Sequence, residues 1–196
     1  MTRFRLALLL AFLTAAGGRA DEPKLLTKIA FGSCADQDKP LPIFDTIAAT
    51  KPELLLLIGD NIYADLDRGR KVTPEVILEK YEALAKLPGF QKLKATCPIL
   101  ATWDDHDLGK NDAGAEFPFK DESQKLFLDF FGIAANDPRR TQKGVYSSAI
   151  YGPEGKRVRS SCWTRATTAA RSRRHRTIRS TASPATCRTP TRTRPC

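Results

Sequence analysis

Leu54-Leu55-Leu56-Leu57-Ile58-Gly59-Asp60 is the stretch that decides the fold. Five apolar residues without polar alternation, closed by glycine and an acid, are the pattern of a buried strand in a sheet covered on both faces. Upstream, Lys28 to Phe31 is a short apolar strand running into Gly32-Ser33-Cys34. Pro42 to Thr50 has helical spacing, with Ile43, Phe44 and Ile47 on one face. Downstream, Thr73-Pro74-Glu75 provides a cap, a proline at the first helical position and an acid in the first turn. That helix runs through Ile77, Tyr81 and Leu84 and stops near Pro88-Gly89. Pro98 to Trp103 reads as a third strand and residues 105–119 as a long polar loop. Asp121 to Phe131 reads as a helix with Leu126, Phe127 and Phe130 inward, ended by Gly132, and Gly144 to Tyr151 alternates like a strand. Strands alternating with helices predict an α/β fold.

The net charge of +10 in 196 residues suggests an anionic partner such as nucleic acid or a membrane surface. Its distribution removes that reading. Residues 159–196 hold ten arginines, no lysine and no acid, and Ile178 is their one residue of the Ile/Leu/Val/Phe/Met set. The preceding 158 residues hold 22 basic and 22 acidic side chains. A uniformly basic nucleic-acid-binding domain is therefore excluded. What remains is a neutral, core-forming segment followed by a basic stretch that cannot bury a core.

Arg3 and Arg5, the apolar run Leu6 to Leu13, and Gly18-Arg19-Ala20 form the three-part pattern of a secretory signal over residues 1–20. The run is too short for a stable membrane span. An exported protein, periplasmic or secreted, is expected to begin near Asp21, at −3 over residues 21–158. Export argues against nucleic acid as a partner. Cys34 and Cys97 are the cysteines before the basic stretch, so at most one disulfide can form there.

Three apolar strands each end in a polar cluster: Cys34 with Asp36, Asp60 with Tyr63 and Asp65, and Asp104-Asp105-His106-Asp107. In α/β sheets the ligand crevice lies beyond the carboxyl ends of the strands, so the clusters can converge. A thiolate, a phenolate, carboxylates and an imidazole are a metal-site inventory. Thiolate with phenolate favours a transition metal such as ferric iron, and an all-carboxylate position favours a harder ion such as calcium or manganese. Taken singly, the residues have plainer readings. Asp36 is a cap or turn residue, Cys34 a small buried residue, Asp65 and Asp67 a solvated loop, and Cys97 a packing residue. A serine or cysteine hydrolase is disfavoured, because Ser33-Cys34 lacks the glycine-elbow pattern and His106 is the only histidine before residue 159.

FGSC (31–34), GDNIYAD (59–65) and TWDDHDLGKNDAG (102–114) together resemble the motifs of alkaline phosphatase D-type enzymes, within the calcineurin-like metallophosphatase superfamily. The resemblance spans about residues 26–151. It implies the N-terminal half of a metallophosphatase-type β-sandwich flanked by helices, and an exported two-metal phosphomonoesterase or phosphodiesterase acting on a phosphate ester. It implies Cys34 and Tyr63 as ligands of iron, Asp60 as a bridge to a second metal such as calcium, and Asp105 at a further metal position. His106 would stabilise the transition state or protonate the leaving oxygen. The adjacent Lys110 and Asn111 either face the phosphate or belong to a solvated loop. In such a centre two cations activate a hydroxide that attacks phosphorus in line.

The family pattern stops near Val158. One deleted base near the Arg159 codon accounts for the arginine-rich stretch beyond it. Reading Ser160 to Thr164 in the other frame forces three apolar residues followed by Leu-Asp when both serines use TCN codons. On that reading, residues 21–158 are the N-terminal part of the phosphatase domain and residues 159–196 a disordered, out-of-frame tail. The chain as written is then expected to be inactive or nearly so, with apolar surface and strand edges left open. The competing reading is a non-catalytic exported module whose arginine-rich tail binds anionic polymers.

Overall fold

A computed structural model describes residues 25–67 and 69–162. Residues 1–24, which include the stretch read as a secretory signal, residue 68 and residues 163–196 lie outside the described residues. The leucine run forms β2 (Leu54–Ile58), flanked by β1 (Ile29–Gly32) and β3 (Ile99–Thr102). The three are parallel in the order β1-β2-β3, with Phe31 opposite Leu56 and Leu56 opposite Leu100. Helix α1 (Ile43–Ala49) connects β1 to β2, and α2 (Pro74–Lys86) and α3 (Pro88–Thr96) lie between β2 and β3. Then come a one-turn helix α4 (Asp105–Leu108), α5 (Lys120–Phe130) and the antiparallel hairpin of β4 (Ser147–Tyr151) and β5 (Val158–Cys162). The architecture is mixed α/β.

The helices cover one face of the parallel sheet. Phe44 of α1 meets Phe90 of α3 at 5.7 Å between ring centroids, and Trp103 meets Phe127 of α5 at 5.8 Å. Leu55, Leu57, Ile77, Tyr81 and Leu93 are buried in the same core. The other face is less covered than the leucine run predicts. Phe31 is 72% exposed and Ile58 49%. The open apolar surface expected of an incomplete sheet is thus present.

Several local expectations change. The helix that begins at Pro74 ends at Lys86, but Pro88 starts a second one where the sequence pattern predicts only a stop. Proline stops one helix and opens the next, since its missing N–H is an orphan at a first position anyway. Helical spacing points Ile43 inward, yet it is 53% exposed, and Phe44 carries the buried face of α1. In α5, Phe127 and Leu128 are fully buried while Leu126 and Phe130 are half-buried. The polar loop after β3 contains α4, closed by a capping box between Asp104 and Asp107. Arg159 to Cys162, the first residues of the stretch read as a disordered tail, pair with β4 from Ile150 back to Ser147.

Candidate metal centre

Because the strands are parallel, their carboxyl ends share one edge of the sheet, and the three polar clusters meet there. Gly59 has φ +115°, and Cys34 and Asp60 have φ +61° and +50°. Side-chain-bearing residues rarely adopt such values, and they persist where surrounding bonds over-determine them. Here the turns after β1 and β2 hold each other: the Cys34 N–H donates to Gly59 O at 3.3 Å and the Ala35 N–H to Asp60 O at 2.8 Å.

Single ligand atoms of Asp60, Asp105 and His106 all lie within 4.8 Å of one another. Around Asp60 Oδ2, the Cys34 thiol stands at 3.5 Å and the Tyr63 hydroxyl at 3.4 Å. The Tyr63 and His106 rings lie 4.4 Å apart. Asp60 Oδ1 is buried without a hydrogen-bond partner. A buried carboxylate oxygen left unpaired, beside a second carboxylate, is costly unless a cation satisfies it. The donor set of sulfur, phenol, carboxylates and imidazole therefore fits a metal ion. Burial, the hydrogen bond to Cys34 and the negative charge of Asp60 push the Tyr63 hydroxyl above its ordinary range. Burial and the charges of Asp105 and Asp60 raise the Asp104 carboxyl.

Four residues outside the expected set shape this edge. Asp65, read as a solvated loop residue, stands with Oδ1 2.7 Å from His106 Nδ1. Its Oδ2 accepts the Asn111 N–H at 2.7 Å. Gln37 clamps the backbone of Tyr63, accepting its N–H at 2.8 Å and donating to its carbonyl at 3.3 Å. Asp107 is fully buried and accepts from the Asn61 N–H at 3.0 Å, the Asn61 side-chain amide at 3.1 Å and the Asp104 N–H at 3.0 Å. Burial lifts its carboxyl to about 7, against the pull of those donors. Asn61 in turn donates to Thr102 O at 2.8 Å, locking the β2 turn to the end of β3. The capping pattern Asp104-x-x-Asp107 could have exposed Asp107. Nothing local marks Gln37 or Asn61.

The remaining sequence candidates sort differently. Asp105 accepts the N–H groups of His106 and Asp112. Asn111 gives its side-chain amide to Asp112 at 2.8 Å, and with Lys110 it lines a neighbouring cavity. Asp36 has the plain role, accepting the Asp38 N–H at 3.1 Å and pairing with Lys39 at 2.8 Å. Cys97 is buried among apolar groups, as a packing residue should be. Asp67, read as solvated, pairs with the buried Lys80 at 3.0 Å.

No protein-family model and no curated protein matches the sequence. A solved structure described as "Structure of PhoD" does match in shape, with a TM-score of 0.55 at 15% identity. The likeness is one of fold. It covers 66% of this chain and 30% of that one, so the chain spans under a third of its neighbour's length. No helix among the described residues is long and apolar enough to cross a membrane.

Proposed function

We propose that the chain carries part of the metal centre of a phosphoesterase, for which Cys34, Asp60, Tyr63, Asp105 and His106 provide the ligand and acid groups. The observation that carries this reading is their convergence from three separate strand ends on the Asp60 carboxylate, whose Oδ2 meets Cys34 and Tyr63 and whose Oδ1 is unpaired. The fold it shares with PhoD supports the same reaction class. Cys34 and Tyr63 suit iron, and the carboxylates of Asp60 and Asp105 suit a harder ion such as calcium. When bound, such cations supply Lewis acidity that offsets charge on the phosphoryl oxygens.

The chain's own residues do the rest. Asp65 accepts the Nδ1 proton of His106 and so leaves Nε2 for the second task. With a second proton on Nε2 the imidazolium can offset charge or deliver that proton at the leaving oxygen of the ester and return to the Nδ1–H form. Gln37 holds the Tyr63 backbone, and Asp107 holds the turn that presents Asp60. On this reading the enzyme is exported. Cation titration by calorimetry, paired with hydrolysis of p-nitrophenyl phosphate and its bis-ester, tests the proposal. Saturable binding that disappears in D60N supports it. Absence of binding to both calcium and iron overturns it.

A further inference from the structure

Asp65, which bonds His106, also lines an open cavity of about 610 Å³ that includes Lys71, Val72, Lys110, Phe117 and Phe119 in its wall. Both Asp65 oxygens are hydrogen-bonded, by His106 and by the Asn111 N–H, and neither pairs with Lys71 or Lys110. Arg70 at the rim pairs with Glu79 at 2.6 Å. Lys71 and Lys110 are exposed and enter no ion pair among the described residues. Two lysines without an ion-pair partner among the described residues thus stand beside an apolar wall.

That wall is rigid. Phe117 is buried beneath Gly109, where an added Cβ would stand 2.2 Å from its ring. Phe119 meets Phe117 edge-on, at 6.0 Å between centroids and 76° between planes. Aromatic faces offer stacking area at low conformational cost, and lysines offer point charges for phosphate oxygens. The volume suits one small organic ligand. A neutral ring would leave the cations unused, and a bare phosphate would leave the wall unused.

We propose that this cavity binds the part of the substrate beyond the scissile phosphate, and that this part is a ring-bearing organic anion of the nucleoside monophosphate type. The ring would lie against Phe119 and the second anionic group between Lys71 and Lys110. The inference rests on the phosphoesterase reading of the adjoining centre.

Adenosine 5′-monophosphate is the probe, titrated calorimetrically into the full chain with EDTA present, against adenosine and inorganic phosphate. The expected result is binding about tenfold tighter than either control. The K71Q/K110Q double variant should weaken the nucleotide about tenfold and leave adenosine unchanged. F119L should weaken both the nucleotide and adenosine. A nucleotide that binds no tighter than phosphate, or equally well to the double variant, overturns the proposal. EDTA separates the two readings: failure of cation binding at the adjoining centre leaves this titration unaffected. Failure of the titration leaves cation binding standing.

Discussion

Asp65 Oδ1 and His106 Nδ1 meet at 2.7 Å across a sequence separation of 41 residues. The side chains are 15% and 13% exposed, so the pair is shielded without being sealed. One residue follows β2 and the other β3. Their contact is therefore a product of the parallel register that places those two strand ends side by side.

Replacing Asp65 by asparagine keeps the volume but removes the carboxylate that selects the His106 tautomer. D65N should shift the imidazole nitrogen resonances toward a tautomer mixture in a long-range nitrogen–proton correlation spectrum. Outer carboxylates of this kind typically tune cation affinity by about 10–100-fold, and D65N should weaken binding by that order. An unchanged tautomer and an unchanged affinity would deny Asp65 its positioning role.

Asp60 concentrates negative charge beside Asp105 and carries the unpaired oxygen. Without cations, D60N should melt at the same temperature as the parent chain or higher, because like-charge repulsion falls. With a cation at a hundredfold over its dissociation constant, the parent should gain about 2.7 kcal/mol. D60N should lose that gain. Thermal denaturation with calcium, with iron and with EDTA reads both signs, and an equal cation-dependent rise in the two chains would remove Asp60 from the centre.

Lys80 sits on α2 with its side chain only 5% exposed, bridging Asp38 at 2.7 Å and Asp67 at 3.0 Å. Burial alone would lower its ammonium. The hydrogen bonds to Asp38 and Asp67 more than offset this and leave it raised. K80M strands two acids that are themselves partly solvated, and should cost about 2 kcal/mol, less than a fully buried pair would. Since the folded ammonium lies above its ordinary value, this stability is fully present below about pH 10.5 and fades as pH rises through the folded value. Denaturant titrations of parent and K80M should therefore differ at pH 8 and converge in strong alkali. A difference that grows with pH would contradict the sign.

Gly59 has φ +115°, and a Cβ there would lie 2.9 Å from Asp104 Cβ. G59A should destabilise by about 1–3 kcal/mol through backbone strain. It should also push the β3 turn away from Asp60, so that residual cation affinity falls further than in an equally destabilised core variant. Circular dichroism melts matched with calorimetry separate the two effects.

Much of the fold is legible because its signals are local. A short leucine run closed by glycine reads as a strand, though one of its faces proves less covered than the run implies, and Thr73-Pro74-Glu75 marks a helix start. The boundary at Pro88 is ambiguous for an equally physical reason: a proline ends the helix before it and favours the one after it, and only packing of Phe90 and Leu93 decides which matters. Ile43 fits the helical stripe by spacing yet faces outward, and Phe44 and Ala48 are the buried residues of α1, with Phe44 against Phe90.

Sequence by itself determined which chemical groups stand at which strand ends: a thiol after β1, an aspartate and a phenol after β2, carboxylates and an imidazole after β3. It did so because strand ends are set by hydrophobic patterning within a few residues. Tertiary structure alone decided how those groups are partnered. Asp65 became a partner of His106 rather than a solvated loop residue, Gln37 a clamp on Tyr63, and Asp107 the buried acceptor joining two turns. Each of those relationships crosses between strands. Pairing register and the left-handed turns at Cys34 and Asp60 set them, and neither leaves a trace in residue spacing along the chain.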